Sequence, residues 1–81
     1  MMFTMLVVDD ERLLADGMKR TIDELDLFQT FSAQSGLEAL QIIEGRRIDA
    51  MLLDIAMPEM DGLELMRRLR ARPDRPATII I

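Results

Sequence analysis

Two apolar runs in this chain end in carboxylates. Met5-Leu6-Val7-Val8 runs into Asp9-Asp10, and Met51-Leu52-Leu53 runs into Asp54. If both runs are buried strands, their ends can bring three acids into one pocket. Acids gathered in this way repel one another and lose hydration unless a cation sits among them. The pattern is that of a divalent-metal site. A hard ion such as Mg²⁺ takes carboxylate, carbonyl and water oxygens in octahedral array, and two or three aspartates leave positions open for water and a phosphoryl oxygen. An aspartate beside such an ion can also attack phosphorus and form an acyl phosphate. It needs no separate base, because it is already ionised near neutral pH.

Each residue also has a plainer explanation. Asp9-Asp10 taken alone reads as a helix N-cap and its neighbour, and Asp54 alone as an ordinary strand-end acid. Asp61 and Gly62 read mostly as turn and cap residues, and Met57 and Met60 as packing residues rather than ligands. What favours a site is the joint occurrence: two strands end in acids, and a loop framed by Pro58 and Gly62 follows the second.

The elements that must position these acids alternate along the chain. Phe3 to Val8 reads as a short, nearly all-apolar strand of the kind buried in parallel sheets. Asp10 is placed to cap a helix from Glu11 to about Leu25, whose Leu14, Met18, Ile22 and Leu25 make one apolar stripe. Phe28 to Ala33 reads as a second strand. Ser35-Gly36-Leu37-Glu38 fits a capping box. It opens a helix to about Glu44 that buries Leu37, Leu40 and Ile43 and stops at Gly45. Ala50 to Asp54 is the third strand. A third helix is expected from about Leu63 to Ala71, with Leu63, Met66 and Leu69 inward; Pro73 and Pro76 close it. Ala77 to Ile81 begins a fourth strand. The order βαβαβαβ predicts an α/β fold, a doubly wound parallel sheet with helices on both faces. Such sheets bind ligands beyond the carboxyl ends of their strands, where strand order reverses. Asp9, Asp10 and Asp54 lie at those ends.

Composition narrows the chemistry. The chain has 81 residues, enough for one small domain, and its 49% apolar content suits a packed α/β core. Fifteen acids against ten bases give a net charge of −5, which does not invite nucleic acid. Arg46-Arg47 and Arg67-Arg68-Leu69-Arg70 are local basic clusters, read as solvated helix faces. Cysteine and histidine are absent, which excludes disulfides, thiolate chemistry, histidine bases and zinc sites of the usual kind. No apolar stretch approaches the ~20 residues that cross a bilayer, and the first residues lack the basic start of a signal peptide. A cytoplasmic protein with no membrane contact is the expectation.

Three segments carry a specific likeness: Leu6-Val7-Val8-Asp9-Asp10-Glu11, Ser35-Gly36-Leu37-Glu38-Ala39-Leu40, and Leu53-Asp54-Ile55-Ala56-Met57-Pro58-Glu59-Met60-Asp61-Gly62. Together they resemble the receiver domain of bacterial two-component response regulators, the CheY-like family. CheY is a standard example of the flavodoxin-like strand order 2-1-3-4-5, so that order is implied by the resemblance. The resemblance makes Asp54 the phosphoacceptor and Asp10 a direct metal ligand. Asp9 helps hold the metal, largely through water, and the backbone carbonyl of Ala56 is a further ligand. It implies Mg²⁺ as cofactor and a sensor histidine kinase as phosphoryl donor. It also implies a phosphorelay role in which a DNA-binding output domain normally follows, so that this chain itself makes no direct nucleic-acid contact.

The likeness covers residues 1–81 but not the whole family domain. Members continue to a Thr or Ser at the end of the fourth strand, a helix, a fifth strand ending in Lys, and a last helix. Here the only lysine is Lys19, in the first helix, and Thr78 comes too early for the switch hydroxyl. The chain is expected to be the N-terminal portion of a longer regulator, or else to self-associate through the open edge of its last strand; the first is favoured. Phosphoryl transfer in the isolated chain is expected to be slow or absent. A regulatory phosphoacceptor is favoured over an enzyme. A haloacid-dehalogenase-type phosphatase needs a second acid two residues past its nucleophile, where this chain has Ala56. A non-phosphorylated pseudo-receiver, an interaction fragment, is the other rival.

Overall fold

The computed structural model describes residues 2–54, 57 and 62–81. Strand and helix alternate within them: β1 (Phe3–Val8), α1 (Arg12–Asp23), β2 (Phe28–Ala33), α2 (Gly36–Gly45), β3 (Ala50–Leu53), α3 (Gly62–Leu69) and β4 (Ala77–Ile80). The strands form one parallel sheet in the order β2-β1-β3-β4. The chain steps from β1 to one neighbour, β2, and then crosses to the other side for β3. The strand order therefore reverses at β1.

Centrality explains the composition of β1. It pairs with β2 along its whole length and with β3 from Met5–Ala50 to Val8–Leu53. Helices cover both of its faces, so both sets of alternating side chains must be apolar. Leu6, Val7 and Val8 are completely buried. Leu6 and Val8 join Met51, Leu53, Ala39, Leu40, Ile43, Leu65 and Leu69 in a core beneath α2 and α3. Met5 and Val7 face the other way, toward Ala15, with Met18, Ile22, Phe28 and Leu52 around them. Each fully buried Leu or Val stabilises the fold by about 1.5–3 kcal/mol relative to exposure.

All three helices turn a slightly different side to the sheet than their large apolar residues suggest. In α1 the expected stripe is broken: Ala15 is buried and Met18 and Ile22 are half-buried, but Leu14 and Leu25 are exposed. In α2 the inward residues are Gly36, Ala39, Leu40 and Ile43, and Leu37 is 56% exposed. In α3 they are Gly62, Leu65 and Leu69, and Leu63 is 51% exposed. A feature is shared. Small residues are among the buried ones in every helix: Ala15 in α1, Gly36 and Ala39 in α2, and Gly62 in α3. Large residues one position away are then rotated about 100° aside.

The helix ends also differ in detail. Glu11, not Asp10, is the N-cap of α1. The helix ends at Asp23, and Asp26 follows in the left-handed region at φ 56°, which a short polar side chain tolerates. The capping box of α2 is present in a shifted form. Ser35 Oγ accepts from the Glu38 N–H at 3.1 Å, while Glu38 Oε2 accepts from the N–H of Gln34, not Ser35, at 3.2 Å. The expected basic faces are met by local partners. Arg46 lies 4.1 Å above the Phe31 ring, Arg47 pairs with Asp49, and Arg67 and Arg68 both reach Glu64. These ion pairs are solvated and add little stability.

Leu65→Ala should cost about 2–5 kcal/mol, while Leu63→Ala should stay within about 0.5 kcal/mol of the parent; urea unfolding followed by circular dichroism measures both. A pH dependence follows from Asp49, whose carboxylate accepts from the Thr4 N–H at 2.8 Å and the Thr4 hydroxyl at 3.0 Å. These bonds, the backbone one first, hold its pKa below the ordinary 3.8. A depressed carboxylate stabilises the fold above its unfolded value and stops doing so as the pH falls through its folded value. Asp49→Asn should therefore lower stability at pH 7, and the gap should shrink as the pH drops below 3.8.

Candidate metal centre

Register alone brings the first two acids together. Val8 pairs with Leu53, so Asp9 and Asp54 are the next residues on adjacent parallel strands, whose axes lie about 4.8 Å apart. The ladder bonds continue to this point: the Asp54 N–H donates to the Val8 carbonyl at 2.9 Å, and the Asp9 N–H to the Ala33 carbonyl at 3.0 Å. By alternation both acids follow the face of Met5, Val7, Ala50 and Leu52, the side that α1 covers. Asp10 follows on the turn into α1. Each of Asp9, Asp10 and Asp54 offers a carboxylate oxygen, and these oxygens all lie within 4.8 Å of one another. The structure thus gathers the three acids that the sequence singled out. Ala56, whose carbonyl was the fourth expected ligand, lies outside the described residues, as do Pro58, Glu59, Met60 and Asp61. Met57 is buried in the core, as a packing residue should be.

The three carboxylates differ in environment. Asp9 is 4% exposed, Asp54 is half-buried and Asp10 is exposed. Asp9 Oδ1 accepts from the Glu11 N–H at 3.0 Å. This Asx-type bond fixes the carboxylate just before the helix begins. It also explains why Asp10 does not cap α1: the chain turns at Asp9, and the Asp10 side chain is spared for the cluster. Sequence reasoning gave Glu11 no part here, and nothing in its type announces one, since the contribution is a backbone N–H.

Burial is the chief reason that the Asp9 pKa is raised above 3.8; the Glu11 N–H opposes the shift, and the neighbouring Asp54 and Asp10 charges add to it. A raised carboxylate favours folding most below its unfolded value, and that benefit is lost as the pH rises through the folded value. At neutral pH the ionised Asp9 therefore works against the metal-free fold. A cation among these oxygens reverses that effect. The donor set, carboxylate oxygens only among the described residues, suits a hard divalent ion such as Mg²⁺ and not a thiophilic one.

The remaining expected features fall elsewhere. Lys19 Nζ pairs with Asp23 at 2.8 Å within α1. Thr78 stands level with Met51, near the start of β4, and its hydroxyl donates to the Pro76 carbonyl at 3.2 Å. Neither belongs to the acid cluster. No helix among the described residues is long and apolar enough to cross a membrane.

Comparison with known proteins agrees with this geometry. The family model of the response regulator receiver domain matches residues 5–81. The response regulator MprA of Mycobacterium sp. (strain KMS) is 42% identical over 69 residues, which are 85% of this chain and 30% of that protein. The chain thus spans under a third of that relative's length. Among solved structures, the CheY-like response regulator receiver domain from Methylobacillus flagellatus superposes with a TM-score of 0.84 at 30% identity, covering 99% of this chain and 67% of the other. The response regulator TrrA of Thermotoga maritima, solved in complex with Mg²⁺-BeF, gives 0.87 at 32% identity, covering 98% and 68%. With a parallel β2-β1-β3-β4 sheet and its acids at the switch point, the chain belongs to the response regulator receiver domains, CheY-like in fold and regulatory signalling domains rather than enzymes.

Proposed function

We propose that this receiver domain accepts a phosphoryl group on Asp54 from the phosphohistidine of a sensor kinase, with Mg²⁺ held by Asp9, Asp10, Asp54 and the backbone carbonyl of Ala56. The observation that carries this reading is the convergence of three carboxylates within 4.8 Å at the end of β1 and β3. A carboxylate oxygen of Asp54 forms the new bond to phosphorus, the phosphorus–nitrogen bond breaks, and the imidazole leaves. Asp54 is well placed to act, at the end of a strand whose backbone is bonded to β1 up to that residue. Asp10, the exposed member, would be the direct ligand, and buried Asp9, fixed by the Glu11 N–H, would help to hold the ion, largely through water. When bound, Mg²⁺ neutralises charge on the phosphoryl oxygens during transfer. The Thermotoga maritima relative was solved in complex with Mg²⁺-BeF, which supports Mg²⁺ as the ion by analogy. A regulator built on this module works in the cytoplasm, and a DNA-binding output domain that controls transcription is the expected continuation of the full protein. The retained acid trio favours this reading over an interaction-only pseudo-receiver.

Mg²⁺ titrated into the isotope-labelled chain should shift the NMR resonances of residues 9, 10 and 54, and Asp10→Asn should weaken binding. Asp9→Asn should unfold at a higher temperature than the parent in metal-free buffer, because one charge has left the cluster, and saturating Mg²⁺ should narrow that gap. Equal Mg²⁺ affinity in the parent and Asp10→Asn would remove Asp10 from the ligand set. Prolonged treatment with acetyl phosphate, read by mass spectrometry, locates the acceptor. Label should be sparse and Mg²⁺-dependent, and absent from Asp54→Asn. Label that persists in that variant, or forms without Mg²⁺, would place the acceptor elsewhere.

A further inference from the structure

The acid cluster exists only if β1 and β3 pair in one register, and the apolar pattern of these strands does not select it uniquely. Every residue paired between them, from Met5–Ala50 to Val8–Leu53, is apolar. A slip by one residue would turn each side chain to the wrong face, so alternation forbids it. A slip by two residues keeps every side chain on its own face. It would set Leu53 beside Leu6 and move Asp54 about 6.6 Å along the strand from Asp9. Oxygens that now lie within 4.8 Å of one another would then separate.

A polar contact that differs between the two registers stands at the opposite end of the sheet. Asp49 Oδ2 accepts from both the Thr4 N–H at 2.8 Å and the Thr4 hydroxyl at 3.0 Å. The same hydroxyl approaches the Arg47 carbonyl at 3.0 Å, and the Asp49 N–H donates back to the Thr4 carbonyl at 3.0 Å. Arg47 Nε donates to Asp49 Oδ1 at 3.2 Å, and the Asp49 carbonyl accepts from Ala77, so β4 is tied to the same point. Two positions to either side of Thr4 stand Met2 and Leu6, which have no hydroxyl. A residue at either position could still offer its backbone N–H, but the hydroxyl bond to Asp49 cannot be remade after a two-residue slip.

We propose that Thr4 and Asp49 are positioning residues for the acid cluster: their latch selects the β1–β3 register in which Asp9 meets Asp54. The link to metal affinity rests on the Mg²⁺ reading above; the link to register does not. The test is NMR on the 81-residue chain as parent, Thr4→Val, Asp49→Ala and Asp49→Asn, with Ile43→Val as a core variant that loses stability without touching the latch. Cross-strand contacts between Val8 and Leu53 report register, and the Mg²⁺ dissociation constant of the folded molecules reports the site. Thr4→Val and Asp49→Ala should show a second set of contacts displaced by two residues, with Mg²⁺ bound about tenfold more weakly, the scale on which supports of metal ligands act. Asp49→Asn keeps an acceptor and should retain most of the parent's affinity, and Ile43→Val should retain all of it. Parent register and affinity in both Thr4→Val and Asp49→Ala would overturn the proposal, as would an equal loss of affinity in Ile43→Val. If Asp49→Ala does not fold, Thr4→Val decides alone, since it removes only the hydroxyl of a half-buried side chain. If the parent itself does not bind Mg²⁺, the metal reading fails and the register contacts still decide the latch.

Discussion

Parallel pairing of β1 with β3 sets two strand ends side by side, and both ends carry carboxylates. This like-charge contact is the constraint around which the rest of the chain is arranged. Asp9 is almost fully buried, with Asp54 and Asp10 close enough to raise its pKa further. Charges so placed oppose folding, and two features among the described residues help to offset them. One is the Glu11 N–H aimed at Asp9. The other is the apolar burial that holds the strands together just behind the acids, where Val7, Val8, Met51 and Leu53 are completely shielded from solvent. Under the proposed function, a cation among these carboxylates would relieve that opposition, a property that suits a signalling domain better than a purely structural one.

The two faces of the sheet divide the supporting work unequally. Beneath α2 and α3 lies the larger core, which also holds Met57 and so anchors the chain just past Asp54. The α1 face is thinner: Met5, Val7 and Ala15 are its buried members, and Leu13 and Leu14 remain open to solvent. The acids follow that thinner face by alternation. Asp54, the proposed acceptor, is therefore carried at the end of a strand whose other side is firmly packed, while its own side stays accessible. At the far end of the same strand pair, the Thr4–Asp49 contact adds the specificity that aliphatic packing lacks.

Much of this was legible in the residues. An apolar run followed by acids, repeated once, named Asp9, Asp10 and Asp54, because strand alternation and strand ends are local properties written in residue order. The βαβαβαβ order was legible for the same reason, and so was the serine cap of α2. Chain order does not state which strands are neighbours. The family likeness supplied the order 2-1-3-4, and the register from Val8–Leu53 then put the acids in contact.

What the sequence by itself determined, then, is the set of elements and the identity of the acids. Tertiary structure decided which side of each helix meets the sheet and which groups are fixed by distant partners. Leu14, Leu37 and Leu63 were expected inside and lie outside, while the small Ala15, Gly36, Ala39 and Gly62 are buried in their place, which a pattern of large side chains does not reveal. Asp10 was expected to cap α1, but the turn made by Asp9 moved the cap to Glu11. Thr4 and Asp49 are 45 positions apart and of unremarkable type, so their contact became visible only when β1 and β3 were placed side by side. Local chemistry can be read along a chain; a contact between two strands depends on register, and register is a property of the packed sheet.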